Sequence, residues 1–310
     1  MNLFYGDDIN LITGDMKRPV AATIGFFDGL HVGHKFLIER LVSISKERGY
    51  ESMVITFSNH PRLVFSTESD LKLLSTGEEK RNMISNYGVD YCLMLRFTKE
   101  FATMTSGQFM EVLAERFHVK LLLVGYDHHF GSDVRSGFDD YKRYGAECGV
   151  EVLRMKPVVR SGLTVSSSKI RKALMDGDIS LANNMLGYHY SVTGCVVKGN
   201  QIGRSIGFPT ANLYVDKEKL PPKCGVYAVW VEVCGCVYPG MMNIGSRPTV
   251  GGDKVTFEVN IIGYEGDIYG EFVCISFVAF IRDEIKFESI ELLRKQLEKD
   301  KEKALSILSN

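Results

Sequence analysis

The hydrophobic periodicity of the chain changes near Gly187. From residue 20 to about 186, short apolar runs of strand length alternate with segments whose apolar residues recur at helical spacing. This alternation predicts β-α-β crossovers and a parallel sheet covered on both faces. After Gly187, strand-like runs follow one another between turns rich in glycine and proline, which is typical of an antiparallel barrel or sandwich. The 310 residues therefore predict two domains, residues 1–186 and 187–310.

Five segments of the first half have the character of buried strands: Val20 to Phe27, Met53 to Phe57, Tyr91 to Leu95, Leu121 to Val124, and Val150 to Met155. Helices are expected between them. One carries apolar residues at helical spacing and ends near Gly49. A second starts at Thr76, where Glu79 three residues later forms the pattern of a capping box. Two more are predicted over Gln108 to Phe117 and Asp139 to Cys148.

Four strand-like runs follow in the second half: Tyr190 to Val197, Gly225 to Cys234, Thr256 to Ile262, and Phe272 to Ile281. Cys234 and Cys236 flank a glycine and predict a hairpin turn, with half of a metal site as the alternative. A final helix is predicted to begin near Ser289, a favourable N-cap. Its apolar stripe of Ile290, Leu293 and Leu297 is expected to pack on the barrel, and binding of a partner is the alternative.

The overall charge and the cysteines narrow the classes of function. The chain has 37 basic and 38 acidic residues and a net charge of −1, whereas nucleic-acid-binding proteins usually carry a basic surplus or stripe. The seven cysteines are odd in number and scattered, which argues against a disulfide framework. We expect a cytoplasmic protein without a signal peptide, because neither a basic start with an apolar core nor a membrane-spanning apolar run is present.

The sharpest local signal is residues 24–34, IGFFDGLHVGH, where the first strand ends and the first helix begins. Ligands of open parallel sheets bind at the carboxyl ends of strands, and a helix N-terminus favours anions. Glycines at this turn let a phosphate approach the backbone. His31 and His34 lie three residues apart, so both project to one side of the first helical turn. We expect a phosphate site here; a metal held by the two histidines is the alternative.

This segment resembles the H-x-G-H signature of the nucleotidylyltransferase superfamily and, more narrowly, the bacterial FMN adenylyltransferases (FAD synthetases). Four further segments are similar to that family in the same order: TFSNHP at 56–61, LLSTGEEKR at 73–81, VGYDHHFG at 124–131 and VSSSKIR at 165–171. The resemblance implies a Rossmann-like domain that binds ATP phosphates through Gly25, Phe27, Asp28, Gly29, Gly33, Ser167, Ser168 and Arg171. It implies catalytic roles for His31 and His34, and weaker contacts to flavin or nucleotide for His60 and Asp127.

The last of these segments suits a phosphate clamp. Ser167 and Ser168 can cap the helix that follows, and Arg171 offers a planar fork for phosphate oxygens; a plain helix cap is the alternative for the serines. His128 stands where the family prefers phenylalanine, and Phe26 replaces a commonly polar residue.

The phosphate of FMN is already an anionic nucleophile, so catalysis should consist mostly of alignment and charge neutralisation on the transferring phosphorus of ATP.

The second half has its own signal at residues 203–213, GRSIGFPTANL. Gly203 and Gly207 permit a tight phosphate-binding loop, Pro209 stiffens it, and Thr210 and Asn212 offer the oxygen ligands that Mg²⁺ accepts. Read alone, these could be ordinary turn residues. The segment resembles the G-R-x-L-G-F-P-T-A-N motif of riboflavin kinases, which implies an antiparallel β-barrel in which Thr210 and Asn212 hold Mg²⁺ and ATP phosphates.

Further segments support the riboflavin kinase resemblance: GVY at 225–227, NIGSRPT at 243–249, FEVNII at 257–262, GDIYG at 266–270 and FIR at 280–282. Glu258 occupies the place of the family's catalytic carboxylate, which accepts the proton of the attacking ribityl hydroxyl. A solvent-facing charge is the alternative for Glu258, and a surface arginine is the alternative for a flavin contact by Arg282. Asn260 replaces the family's usual histidine.

Together the resemblances imply a bifunctional enzyme. Riboflavin and ATP give FMN and ADP in the second domain, and FMN and a further ATP give FAD and pyrophosphate in the first. Two other hypotheses stay open: one active domain with the other regulatory, or a flavin-binding or RNA-associated protein on a synthetase-like scaffold. We expect small-molecule substrates, no nucleic acid and no membrane partner. Self-association is left open.

Overall fold

The computed structural model describes residues 1–12, 16–65, 71–126, 129–133, 137–160, 162–199, 203, 206–249 and 252–309. These residues pack as two compact units, Met1–Ser166 and Ser167–Asn310. The predicted order of an α/β unit with a parallel sheet, then an antiparallel β-barrel with a terminal helix, is confirmed.

The first unit is built on a six-stranded sheet with the order β1-β4-β3-β2-β5-β6, and neighbouring strands of it are parallel. Alternate residues of β2 face opposite sides of the sheet and join separate apolar clusters, Val20 and Ala22 in one and Ala21 in the other. Both faces are therefore covered. The strands are β1 Asn2–Gly6, β2 Val20–Ile24, β3 Glu51–Phe57, β4 Tyr91–Leu95, β5 Val119–Val124 and β6 Glu151–Arg154.

Five helices of the first unit are α1 Val32–Arg48, α2 Pro61–Phe65, α3 Gly77–Ser85, α4 Ser106–Arg116 and α5 Phe138–Cys148. The predicted capping box of α3 is present: the Glu79 backbone N–H donates to Thr76 Oγ1 at 3.2 Å, and the Thr76 backbone N–H donates to Glu79 Oε2 at 2.9 Å. Two short strands, β7 Val159–Arg160 and β8 Leu163–Thr164, form a ribbon near the end of the unit.

The second unit is a closed antiparallel barrel with the strand order β10-β13-β12-β11-β14-β9. Closure pairs every strand on both sides, so the barrel leaves no free edge. The strands are β9 Ser191–Val197, β10 Ala211–Val215, β11 Gly225–Val233, β12 Cys236–Thr249, β13 Gly252–Ile261 and β14 Phe272–Arg282. Its helices are α6 Ser167–Asp176, α7 Ile179–Leu186 and α8 Ile290–Leu308.

Strands β1, β7, β8, β10 and β12 were not predicted from the sequence. β12 is the most instructive, because two prolines and two glycines interrupt its apolar pattern. The barrel requires one of those glycines: a Cβ at Gly240 would lie 2.8 Å from Val231 Cγ2 on the neighbouring strand. The predicted hairpin at Cys234 and Cys236 is present between β11 and β12, with Val233 opposite Cys236.

The division by packing falls between Ser166 and Ser167, before the predicted boundary at residues 186 and 187. Helix α7 belongs to the barrel unit because the Asn183 side-chain amide donates to the Phe277 carbonyl of β14 at 2.9 Å. Lys223 also donates its backbone N–H to the Leu174 carbonyl of α6 at 2.9 Å. Helical periodicity alone could not indicate which unit the two helices pack on.

Helix α8 begins as predicted, with the Ser289 hydroxyl accepting from the Leu292 backbone N–H at 3.3 Å. Leu297 packs against a buried apolar cluster that includes Val226 and Met241 of the barrel. Ile290, in contrast, is 59% exposed, because the first turn of the helix extends past that cluster. Among the described helices, none combines the length and the apolar character needed to cross a bilayer.

Candidate functional sites

The turn after β2 has an unusual backbone. Phe27, at φ 53°, adopts the left-handed conformation, as does Gly29 at φ 75°. For a residue other than glycine this costs about 1–2 kcal/mol, and such conformations cluster at functional sites. Gly25 makes room for the phenyl ring, since a Cβ at this position would lie 2.9 Å from Phe27 Cζ. The turn delivers the chain directly into α1.

His31 and His34 are brought together at the start of α1. His31 is the N-cap, and its Nδ1 accepts from the His34 backbone N–H at 3.3 Å. The two imidazole rings are stacked, with centroids 3.6 Å apart and planes 16° apart. Gly33 permits this arrangement, because a Cβ there would lie 3.2 Å from His31 Nδ1. The edge of Phe27 packs on His34 at 5.1 Å, which fixes the orientation of the pair.

Asp28 and Gly29 connect this turn to the segment before α3. Asp28 is 2% exposed, and its carboxylate accepts from the backbone N–H groups of Leu74 and Ser75 at 3.1 and 3.0 Å. The Gly29 backbone N–H donates to Ser75 Oγ at 3.0 Å. These contacts anchor the turn to the protein interior. The phosphate contacts that the resemblance implies for both residues stay predictions.

An aromatic cavity of about 240 Å³ lies in the first unit at the carboxyl ends of β2 and β3. It was not predicted, because its phenylalanines are spread over more than a hundred residues of the chain and are brought together only by the sheet. Its walls are almost wholly apolar and aromatic, which suits a flat aromatic ligand. The cavity is lined by Ile24, Phe26, Phe57, Pro61, Phe97, Phe101, Ala102, Met104, Phe109, His129, Phe130 and Gly131.

His60 and Asn59 hold one wall of the aromatic cavity. The His60 ring meets the Phe26 ring at 4.4 Å between centroids, edge to face. The Asn59 side chain makes two hydrogen bonds to the backbone of Phe97, donating at 2.9 Å and accepting at 2.7 Å. The TFSNHP segment thus positions Phe26 and Phe97 in the cavity wall. Asp127 and His128, the other residues predicted for this region, lie outside the described residues.

Ser167, Ser168 and Arg171 lie in the first turns of α6, and α6 belongs to the second compact unit. Ser168 is exposed, whereas Ser167 and Arg171 are half-buried. The role predicted for these three residues beside the histidines is not tested by the packing within either unit. It stays a prediction.

A second cavity, of about 290 Å³, lies in the barrel unit between the wall formed by β12 and β13 and the helix α8. Four residues predicted from the sequence line it: Gly203, Thr210, Glu258 and Arg282. The remaining lining residues combine apolar and polar groups and are Ile206, Phe208, Val226, Met241, Met242, Asn243, Asn260, Glu284, Ile285, Phe287, Leu293 and Leu297.

Glu258 sits at the centre of a row of polar residues across three strands. It lies directly opposite Asn212 on β10 and Asn243 on β12. Residues opposite each other in antiparallel strands share a face, with Cβ atoms about 4.5–5.5 Å apart. Val259 and Met242 are fully buried and point to the barrel interior, so the row faces outward toward α8. Asn243, which the sequence reading did not single out, therefore belongs to this site.

The 203–213 loop is anchored by its own backbone and by β13. The Phe208 backbone N–H donates to the Gly203 carbonyl at 2.9 Å, and a Cβ at Gly203 would lie 2.2 Å from the Phe208 carbonyl oxygen. Gly207 has φ 81°, a conformation that favours glycine. Asn260 Nδ2 donates to the Pro209 carbonyl at 2.7 Å. Asn260, which replaces the family's usual histidine, thus holds the loop that carries Thr210 and Asn212.

Arg282 lines the second cavity, yet its main partner is a buried carboxylate. Its Nε donates to both oxygens of Asp300 at 3.0 Å, and its Nη2 donates at 2.7 Å. Asp300 is 2% exposed and also accepts from Gln296 Nε2 at 2.9 Å. The pair therefore fastens α8 to the end of β14. The predicted flavin contact of Arg282 is not tested by this geometry.

Family models match both halves of the chain: the FAD synthetase model at residues 14–169 and the riboflavin kinase model at residues 186–308. A crystal structure described as a macrolide-efflux protein from Streptococcus pneumoniae shares the fold with a TM-score of 0.90. It is 31% identical and covers 97% of this chain and 98% of its own.

Curated relatives match over nearly the whole length. The bifunctional riboflavin kinase/FMN adenylyltransferase of Listeria monocytogenes is 36% identical over 93% of this chain and 91% of its own. The enzyme of the same name from Escherichia coli K12 is 36% identical over 90% of this chain and 89% of its own. That from Bacillus subtilis is 35% identical over 97% of this chain and 96% of its own. The chain belongs to the family of bifunctional riboflavin kinase/FMN adenylyltransferases.

Proposed function

We propose that the barrel unit transfers the γ-phosphoryl group of ATP to riboflavin, with Glu258 as the group that accepts the proton of the ribityl hydroxyl. The observation that supports this role is the row in which Glu258 lies between Asn212 and Asn243 at the cavity. Two flanking amides can fix the carboxylate and orient the hydroxyl, and phosphoryl transfer depends on such positioning. The O–H bond breaks as oxygen attacks phosphorus, and ADP leaves.

The residues of the barrel cavity also fit a magnesium ion with ATP. Thr210 and Asn212 offer neutral oxygen ligands beside the Glu258 carboxylate, and Mg²⁺ prefers oxygen donors while leaving places for phosphates and water. Thr210 Oγ1 lies close to the Gly203 backbone, 3.4 Å from the position that a Cβ would occupy. When bound, the ion would neutralise charge on the β- and γ-phosphates.

For the first unit we propose adenylyl transfer from ATP to FMN. The phosphate of FMN attacks the α-phosphorus of ATP, the bond to the β-phosphate breaks, and pyrophosphate leaves. The stacked pair His31 and His34 at the α1 N-terminus supports this proposal, because imidazole N–H groups and a helix N-terminus both stabilise phosphate charge. Ser167, Ser168 and Arg171 are proposed as further ATP contacts, so the domain proposed for this step, residues 1–186, extends beyond the first compact unit.

The aromatic cavity is the place we propose for the isoalloxazine ring of FMN. Its volume of about 240 Å³ and its phenylalanine walls suit a flat fused ring, which can stack on or meet aromatic edges. Its position at the carboxyl ends of β2 and β3 is where open parallel sheets bind ligands. Phe26 lines the cavity and directly precedes the turn that carries the histidines, so one segment would contact both ring and phosphate.

The proposal is tested by incubating the full chain with riboflavin, ATP and Mg²⁺ and separating the flavins by chromatography over time. We expect FMN to appear first and then to decline as FAD accumulates. FMN that accumulates without FAD would contradict the proposal for the first unit and favour a regulatory role for it. Riboflavin that stays unconverted while the protein is folded would contradict the kinase proposal. FAD formation from added FMN would then be measured separately.

A further inference from the structure

Lys80 is a buried lysine that the proposed chemistry does not use. It lies on α3, within the segment after the Thr76 cap, and only 1% of its surface is exposed. Burying an ammonium group is costly unless it is paired and hydrogen-bonded. A methionine of similar shape would pack at this buried position without the cost of desolvating a charge. The presence of a lysine there therefore calls for a physical explanation.

The contacts of the Lys80 ammonium group are with two residues that line the aromatic cavity. Nζ donates to the Phe57 carbonyl oxygen at 2.8 Å and lies 3.8 Å from the centroid of the Phe26 ring. Phe57 ends β3 and Phe26 follows β2. The Lys80 ammonium group therefore links the carboxyl ends of β2 and β3, and it restrains the plane of the Phe26 ring.

We propose that Lys80 is a positioning residue for the adenylyl transfer to FMN: its ammonium group holds Phe26 and Phe57 in the geometry that receives the flavin ring. This inference rests on the proposed function of the first unit and of its aromatic cavity. A cation over an aromatic face restrains the ring most strongly where water is excluded. Loss of the charge releases that restraint, and the cavity then binds FMN less tightly.

The charge on Lys80 can be removed by pH as well as by mutation. Burial lowers the pKa of Lys80 from 10.5 to about 8, partly opposed by the carboxylate of Asp28. The neighbouring Cys92 thiol does not ionise in the same range, since burial raises its pKa to about 11. His60 contacts the same Phe26 ring, edge to face. Between pH 7 and 9, Lys80 therefore changes from mostly charged to mostly neutral.

The test measures KM and kcat for FMN in FAD formation by the full chain, with saturating ATP and Mg²⁺, at pH 7 and pH 9. For the unmodified protein we expect KM to rise roughly threefold to tenfold, the range of one desolvated cation–π contact, with a smaller change in kcat. At both pH values, Lys80→Met should have the high KM that the unmodified protein shows at pH 9. Lys80→Arg keeps its charge and should have, at both pH values, the low KM that the unmodified protein shows at pH 7.

Two controls separate this inference from effects on folding. Lys46→Met removes an exposed lysine of α1 in the same unit and should reproduce the unmodified pH profile. The riboflavin kinase step of each variant reports on the integrity of the second unit. A KM for FMN that is equal at pH 7 and 9 in the unmodified protein would overturn the proposal, as would Lys80→Met with the unmodified profile. Absence of FAD formation at every pH would instead contradict the proposed function itself.

Discussion

Asn212 and Glu258 lie directly opposite each other on β10 and β13, and Glu258 lines the barrel cavity. The pairing joins the end of the 203–213 loop to the strand that carries the proposed base. Their relative position is set by the β10–β13 hydrogen bonds rather than by flexible side chains, and rigid strands hold reacting groups more reproducibly than loops do. The segment proposed to bind phosphate and the proposed proton acceptor are therefore held together by strand pairing.

The first prediction concerns Asn212. Asn212→Ala removes an oxygen ligand proposed for Mg²⁺ and a neighbour of the Glu258 carboxylate, so FMN formation should slow by about a hundredfold, the size typical for a lost electrostatic contact in a transition state. The rate of riboflavin phosphorylation at saturating ATP measures this loss. FAD formation from added FMN should be unchanged. Asn184→Ala, on α7 of the same unit, is the control, and equal kinase rates in both variants would contradict the prediction.

The second prediction concerns Asn260, whose amide holds the Pro209 carbonyl. Asn260→Ala loses a hydrogen bond worth about 1 kcal/mol and leaves the Pro209 carbonyl without that donor. We expect KM for ATP in the kinase step to rise about fivefold, with a smaller effect on KM for riboflavin. Asn260→His, the residue usual in the family, should restore the lower KM. An alanine variant with an unchanged KM for ATP would show that the loop does not depend on this bond.

The third prediction concerns the buried pair of Arg282 and Asp300. Asp300→Ala leaves the guanidinium of Arg282 without its carboxylate, and breaking a buried ion pair costs about 3–5 kcal/mol. Trp230 is the single tryptophan of the chain and lies in β11 of the barrel unit. Urea unfolding followed by its fluorescence should therefore shift to lower concentration.

Replacement of both partners tests whether this loss comes from the unpaired charge. The double variant Arg282→Met with Asp300→Leu should recover most of the lost stability, because apolar residues can replace a buried pair at little cost. FAD formation from added FMN should be unaffected in either variant. An Asp300→Ala variant as stable as the unmodified chain would contradict the structural role of the pair.

The fourth prediction follows from the sign of the pKa shift of Lys80. Its folded pKa, about 8, lies below its ordinary value, so the unfolded chain binds more protons between pH 8 and 10.5. The stability contribution of Lys80 is therefore unfavourable below pH 8 and fades as pH rises toward 10.5. Lys80→Met should stabilise the first unit at pH 7 by up to about 3 kcal/mol, while it weakens FMN binding.

Hydrogen exchange of the β2 and β3 amides, followed by mass spectrometry at pH 7, measures this stability. The variant should show slower exchange than the unmodified chain, and Lys46→Met should match the unmodified chain. Burial raises the pKa of Cys92 to about 11, so this thiol is neutral at pH 7 and does not contribute to the comparison. Faster exchange in Lys80→Met would mean that the buried charge is a net stabiliser.

Much of the fold was predictable because the periodicity of the apolar residues is regular where packing is regular. The strands Tyr91–Leu95 and Gly225–Val233 and the caps at Thr76 and Ser289 follow from local chemistry alone. β12 was missed because Pro239, Gly240 and Gly245 break its pattern. Its strand pairing comes from neighbours in the barrel, and that information is not local to the segment.

The candidate sites were predictable where a contiguous segment carries them, and unpredictable where the fold assembles them. The turn with His31 and His34 is of the first kind. The aromatic cavity is of the second, since Phe26 and Phe130 meet only after the sheet forms. Asn243 and Lys80 were missed for the same reason: one gains its place by strand register, the other by burial under two strand ends.

We propose that the two activities of this chain are separable, one in each unit. The most direct test is Glu258→Gln, an isosteric change that removes only the proton acceptor, assayed for both steps in one preparation. We predict that FMN formation from riboflavin falls by about a hundredfold to ten-thousandfold, the range for loss of a general base, while FAD formation from added FMN keeps its rate. Equal loss of both steps, or an undiminished kinase step, would contradict the assignment of one activity to each unit.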